Sequence, residues 1–235
     1  MAGGRGERMR ASGIDVPKPL VPVGGSPLID WNVRALLHWG FDDIVVAVPS
    51  APGALGEHVE QRLEPMAAAA RARLRLLREE TPLGNIGCAG TLRGEGDVLV
   101  VYSDNITALD LRELLAQHRR ARAALTLAAH DEPLRVPWGR LEMRDGMVVA
   151  YEEKPELAVT IGSGVAVLGP EATAILPDDR PTGIADLVNE LLRRGLPVAS
   201  HRHDAAWVDV NDSGALSRAA ELIEQHTEAF SLPAA

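Results

Sequence analysis

The sequence predicts an α/β fold: a mostly parallel, doubly wound sheet flanked by helices, with a smaller β-hairpin lobe. Three observations predict it. Strand-length apolar runs alternate with amphipathic helical segments along most of the 235 residues, the order that builds βαβ units. Residues 44–48 are unbroken apolar sequence and 97–102 read as the clearest buried strand, as suits strands covered on both faces. Arg144-Asp145-Gly146 joins 138–143 to 147–152, and Asp-Gly is a hairpin turn.

Each element has its local cause. Ser26 before Pro27 reads as a helix start, an N-cap hydroxyl followed by proline at the first helical position. Leu28, Ile29, Val33, Leu36 and Leu37 then form the apolar face, and Gly40 ends the helix. A helix over 55–63 leads into an alanine tract reaching Ala72, followed by a strand over 74–77. The strand over 97–102 stops where Ser103-Asp104-Asn105 replaces apolar residues with polar ones. Residues 109–122 read as a helix and 124–129 as a strand. Residues 163–168, 198–201 and 207–210 read as further strands. Residues 184–194 form a helix closed by Gly195, and 213–230 a terminal helix.

Bulk properties bound the function. The length suits one domain, 1–235, with a substantial core. A net charge of −9 argues against nucleic-acid binding, which needs a basic face. The single cysteine, Cys88, excludes an internal disulfide and suits a reducing cytoplasm. No apolar run reaches membrane-spanning length, so no membrane partner is expected.

The opening carries the chemistry. Gly3, Gly4 and Gly6 fall within four positions, so backbone N–H groups there can approach a phosphate chain closely. Arg8 and Lys18 add positive charge, the first a bidentate phosphate partner and the second a point charge. Neither a dinucleotide fingerprint nor a Walker loop fits, since Met9 stands where a third glycine belongs and no G-K-[ST] occurs. The plain alternative is a glycine-rich tail.

The order Ala2-Gly3-Gly4-Arg5-Gly6-Glu7-Arg8 then Pro17-Lys18-Pro19-Leu20 resembles the signature of the sugar-1-phosphate nucleotidylyltransferases, the NDP-sugar pyrophosphorylases. Later landmarks stand in family order to about Leu216. Glu80-Thr81-Pro82-Leu83-Gly84 resembles the E-x-P-L-G segment beside the nucleobase, although a bare turn before a helix reads the same. Asp104, after the strongest strand, and Asp209, in Trp207-Val208-Asp209-Val210, match the family's two Mg²⁺ aspartates; either also serves as a turn or cap residue. Trp138-Gly139-Arg140-Leu141 resembles the strand whose glycine admits the sugar. Glu153-Lys154-Pro155 matches E-K-P, whose Glu meets sugar hydroxyls and whose Lys meets the sugar phosphate. Ser163 lies in Gly162-Ser163-Gly164, where the family commonly has N-A-G.

The resemblance implies a GT-A-like, Rossmann-related fold with a nucleotide-binding half over 1–108 and a sugar-phosphate half over 109–235. It implies in-line attack of a sugar 1-phosphate on an NTP. Arg8 and Lys18 are then catalytic; Ala2, Gly3, Gly4, Gly6, Pro82, Leu83, Gly84 and Ser103 bind nucleotide; Gly139, Glu153, Lys154 and Ser163 bind sugar phosphate. Overall likeness leans to the short guanylyltransferases of mannose or heptose 1-phosphate, with GTP favoured over UTP or dTTP. A homodimer is left open. A glycosyltransferase of the same fold and a non-catalytic relative are the other classes.

In the family the glycine loop comes after a buried apolar strand, and only Met1 precedes it here. The expectation is a start placed late, with the strand's position in mid-sheet beside residues 98–101. Other candidates read as structural. Ser103-Asp104-Asn105 lacks the companions of a β-lactamase site. His201, His203 and Asp204 read as a polar turn, Cys88 as a packed small residue, and the arginines of 71–78 as the wet edge of a strand.

Overall fold

The computed structural model describes residues 16–233; Ala2, Gly3, Gly4, Gly6 and Arg8 lie outside them. After a short 3₁₀ turn (Lys18–Leu20) come β1 (Pro22–Val23), β2 (Ser26–Pro27), α1 (Leu28–His38) and β3 (Asp43–Pro49). Helix α2 (Ala54–His58) continues through a π turn (Val59–Leu63) into α3 (Glu64–Ala69), and β4 (Arg73–Glu79) comes next. A 3₁₀ helix (Gly87–Leu92) precedes β5 (Val98–Val101), β6 (Asn105–Thr107), α4 (Leu111–Ala121) and β7 (Leu125–Arg135). The hairpin is β8 (Arg140–Arg144) with β9 (Met147–Glu152), and the chain returns through β10 (Glu156–Leu168). The rest is α5 (Pro170–Ala174), α6 (Ile184–Arg193), β11 (Val198–Arg202), β12 (Trp207–Asp209), α7 (Ser213–Gln225) and a 3₁₀ turn (Thr227–Phe230).

The expected mostly parallel sheet is corrected to a mixed one. Among the described residues β3 pairs β4 and β11 pairs β7 in parallel, while β10 runs antiparallel to both β5 and β7. The other pairs, β1–β2, β6–β12 and β8–β9, are antiparallel too. The cause is the return path. β10 comes back from the hairpin lobe without a helical crossover, and parallel pairing needs such a crossover.

The four-stranded sheet β11-β7-β10-β5 is covered on both faces. Val100, Leu125, Ala166 and Leu168 meet Leu187 and Leu191 of α6 on one side. Val101, Ala128, Val165 and Val167 meet Leu111 and Leu114 of α4 on the other. This is the period-2 alternation of strand side chains. Beside it, β3 packs with α1, α2 and the π turn through Ile29, Val33, Ile44, Val46, Val48, Leu55 and Val59. Asp30 of α1 is fully buried, hydrogen-bonded at 2.6 Å to His58, just ahead of the π turn, and ion-paired at 2.6 Å to Arg62 within it. No described helix is long and apolar enough to cross a membrane.

Ser26 is not a cap. Gly24 (φ 53°) and Gly25 (φ 82°) make a two-glycine turn, the backbone that a tight hairpin demands. Ser26 and Pro27 are thereby drawn into strand pairing with Val23 and Pro22, and the helix starts at Leu28 without a side-chain cap. The terminal helix also stops earlier than expected, at Gln225.

Candidate functional site

Pairing of β6 with β12 sets Asp209 opposite Asn105, and the Val210 N–H donates to the Asp104 carbonyl at 2.8 Å. The polar ends of two separate strands therefore meet. Lys18, on a turn stiffened by Pro17 and Pro19, reaches this point from the other end of the chain. Its Nζ donates to Asp104 Oδ2 at 3.0 Å and to Asn211 Oδ1 at 2.7 Å. Asn211 Nδ2 in turn donates to Asp209 Oδ2. One cation, two carboxylates and a bridging amide thus form a continuous chain. The Lys18 side chain is 13% exposed and Asp104 38%, so the carboxylate faces solvent.

Among the described residues no three His, Cys, Asp or Glu side chains converge as a complete metal cage. Two carboxylates nonetheless suit Mg²⁺, which takes one or two carboxylates and fills its shell with water and phosphate oxygens.

The neighbour Asn105 is 4% exposed and donates to Asp104 Oδ1 at 3.1 Å. It rests on Gly164, whose φ is +76° and where a Cβ would stand 2.2 Å from Asn105 Nδ2. Gly164→Ala is expected to cost roughly 2–3 kcal/mol, from left-handed strain and displacement of Asn105. Urea melts read the loss, and an unchanged midpoint would show that the loop absorbs the methyl group.

Leu83 is buried and its carbonyl accepts from the Thr182 N–H at 2.9 Å. Gly84 (φ +82°) lies so near that a Cβ would meet the Thr182 oxygen at 2.5 Å. The glycine of the Pro82-Leu83-Gly84 segment thus serves loop packing in its own right. Just before this segment lies a residue that sequence reading passed over. Glu79 lines a cavity of about 190 Å³ with Thr81, Leu83 and Thr91. Its Oε1 is buried and has no hydrogen-bond partner among the described residues. Burial pushes its carboxyl above the usual carboxylate range, and the Leu83 N–H pulls it part of the way back. The signal available was the glutamate three residues ahead of Pro82.

On the hairpin lobe, the Tyr151 ring covers Gly139; a Cβ there would meet the Tyr151 hydroxyl at 2.1 Å. That hydroxyl donates to Glu153 Oε2 at 2.5 Å. Lys154 is next, exposed and at φ +47°. Gly139, Tyr151 and Glu153 therefore form one unit at the β8–β9 hairpin, while Lys18 and Asp104 lie on turns outside that sheet. Ser163 is 1% exposed and bonded to His203 Nε2 at 2.8 Å. His203 packs on His130, which packs on Trp207 of the Asp209 strand. Burial and the neighbouring His130 hold His203 below the usual imidazole range. Ser103 is 9% exposed and its carbonyl lies 3.5 Å from Asn32 Nδ2. Cys88 is buried, with its thiol pushed up to about 11.

The family model described as nucleotidyl transferase matches residues 1–226. A probable glucose-1-phosphate cytidylyltransferase from Bacillus subtilis is 24% identical over 90% of this chain and 89% of its own length. Mannose-1-phosphate guanylyltransferase 1 of Arabidopsis thaliana is 29% identical over 78% of this chain, which spans 52% of that protein. Among solved structures, a putative glucose-1-phosphate thymidylyltransferase from Bacillus anthracis superposes with a TM-score of 0.71 at 20% identity, covering 94% of this chain and 92% of its own. HddC from Yersinia pseudotuberculosis, solved with GMP-PN, superposes at 0.70 and 18% identity, covering 94% and 96%. The structural likenesses establish the fold.

Proposed function

Because this chain belongs to the nucleotidyl transferase family, we propose that it transfers guanylyl groups from GTP to a sugar 1-phosphate. The observation that carries nucleotidyl transfer is the Lys18–Asp104–Asn211–Asp209 chain. A phosphate oxygen of the sugar 1-phosphate attacks the α-phosphorus of GTP in line. The bond from that phosphorus to the α–β bridging oxygen breaks, and pyrophosphate leaves with the electron pair. Catalysis of this kind rests on positioning and charge neutralisation. Lys18 steadies the transferred phosphoryl group, Arg8 meets the leaving phosphates, and Ala2, Gly3, Gly4 and Gly6 bind the nucleotide. Asp104 and Asp209 would hold Mg²⁺, which supplies positive charge at the phosphate oxygens. Lys154 holds the nucleophile's phosphate, while Glu153, fixed by Tyr151, accepts from sugar hydroxyls.

Glu79 favours guanine. A carboxylate is acceptor-only, and guanine offers adjacent donors at N1–H and its exocyclic amine. Uracil and thymine place a single donor between two acceptors. HddC, of the same fold, was solved with GMP-PN.

Pyrophosphate release across four NTPs and glucose, mannose and heptose 1-phosphates tests both levels. GTP is expected to give the highest kcat/KM. Glu79→Gln is expected to lower that value by about 10–100-fold, the worth of one charge-assisted hydrogen bond, and to leave UTP little changed. Equal rates with every base would remove Glu79 from base selection. No pyrophosphate from any pair would instead favour a glycosyltransferase or a non-catalytic relative.

A further inference from the structure

Every residue of both hairpin strands, β8 and β9, is exposed. Among the described residues, seven of the twelve exposed large apolar side chains lie between Trp138 and Tyr151, so the exposure is concentrated in this lobe. Apolar side chains scattered singly over a surface need no explanation, but a patch of more than a few hundred Å² marks an interaction site.

The register gives the hairpin two unlike faces. Leu141 pairs with Tyr151 and Met143 with Val148, whereas Arg140 pairs with Glu152, Glu142 with Ala150 and Arg144 with Met147. Cross-strand partners share a face and successive residues alternate. Leu141, Met143, Val148 and Tyr151 therefore stand together on one side, each between 51% and 62% exposed. Val149 bulges out of the ladder beside them. The charged residues of the strands, with the Arg140–Glu152 ion pair at 4.0 Å, occupy the other side. A two-stranded ribbon is marginal by itself, and this one keeps its apolar face uncovered among the described residues.

We infer that this face packs on the same face of a second copy of the chain, the two hairpins stacked about a two-fold axis with their strand directions reversed. Three arguments select that occupant. The first is area. Half-exposed side chains of this size offer on the order of 100 Å² apiece. With Val149 and Trp138 the patch reaches roughly 600 Å², and a polar rim brings it toward the roughly 800 Å² per partner of a standard interface. The second is self-complementarity. Reversal lays Tyr151 on the partner's Met143, a favourable sulfur–aromatic contact, and Leu141 on the partner's Val148; the symmetry makes each contact twice. The third is charge. The chain's net −9 keeps copies apart over most of the surface, but residues 138–152 set Arg140 and Arg144 against Glu142, Asp145 and Glu152, close to balance. Reversal also carries the tip, Arg144-Asp145, to the partner's Glu153-Lys154, so that each side brings one charge of either sign. A lipid surface fits less well, since anionic headgroups draw basic clusters and this hairpin has no basic excess.

The test is sedimentation of the full chain over a range of concentrations. The unaltered chain is expected to dimerise at micromolar concentration. Leu141→Lys and Val148→Glu should each weaken association at least about 30-fold, because each buries an unpaired charge against an apolar partner. Circular dichroism checks that both variants keep the fold. Mixing the two should restore the dimer, since the reversed overlay sets the new ammonium against the new carboxylate. Hydrogen exchange over 140–152 in the unaltered chain should slow as concentration rises, a readout free of any substitution. A chain that stays monomeric throughout would overturn the proposal, and flotation with phosphatidylcholine–phosphatidylglycerol vesicles would then name a lipid surface as the occupant. A dimer that survives both variants, or variants that dissociate and do not re-form on mixing, would overturn it too. None of these readouts uses nucleotide or sugar phosphate, so the guanylyl reading stands or falls separately.

Discussion

Replacing Lys18 with alanine is expected to lower turnover by about 10²–10³-fold, the usual consequence of removing a preorganised charge from a transition state. The geometry makes Lys18 preorganised. Its turn is bracketed by two prolines, its side chain is 13% exposed, and two acceptors at 3.0 Å and 2.7 Å fix its ammonium group. The fall should appear in kcat at saturating substrates. The melting temperature should move little, because Asp104 keeps access to water. Arginine is not expected to rescue, since its planar fork replaces a point charge that fits between a carboxylate and an amide. Near-normal turnover in Lys18→Ala would remove this residue from the phosphate site.

The second large effect concerns the carboxylates. Asp104→Asn and Asp209→Asn should each cost at least about 10³-fold in Mg²⁺-dependent activity, and the double variant should be little worse than either. Groups that act as a unit lose their function together, and Asn211 already ties these two through its amide and Lys18. Losses that multiply would show two independent roles. A titration of activity against Mg²⁺ adds a second readout: each variant should need far more metal for half its residual rate.

Much of this was legible in the residues. The apolar runs at 44–48 and 98–101 became strands, as short continuous runs covered on both faces suit. Asp-Gly at 145–146 made the hairpin, with both residues at positive φ. Lys18, Asp104 and Asp209 were singled out by likeness to the family's motifs, although aspartates at strand ends equally serve as turns or caps, and the structure links the three side chains through Asn211. What could not be read was long-range pairing. The direction of β10 depends on where the chain returns from, and no local pattern encodes that. Gly24-Gly25 overruled the Ser-Pro helix start because turn geometry outranks a capping preference. Asn211 is an ordinary polar residue in the sequence and becomes a bridge only when β12 lies beside β6. Tyr151 over Gly139, and the Ser163–His203 pair, are likewise products of packing.

β7 and β10 form a two-stranded ribbon that begins in the core and ends in solvent. Leu125 and Leu168 are fully buried at one end, while Arg135 and Glu156 are exposed at the other. Its ladder is continuous except between Gly162 and Ala166, where β10 carries extra residues opposite β7. Mechanically the hairpin lobe is a lever on a stiff arm. The continuous ladder below it leaves no flexible connector between lobe and core. Bending is expected at the bulge, where the ladder is interrupted, on the microsecond-to-millisecond scale of collective motions. Gly164 sits in that bulge against Asn105, and Asn105 holds Asp104. The bulge of this ribbon is thereby joined by direct contact to Asn105 and, one hydrogen bond further, to the Asp104 carboxylate.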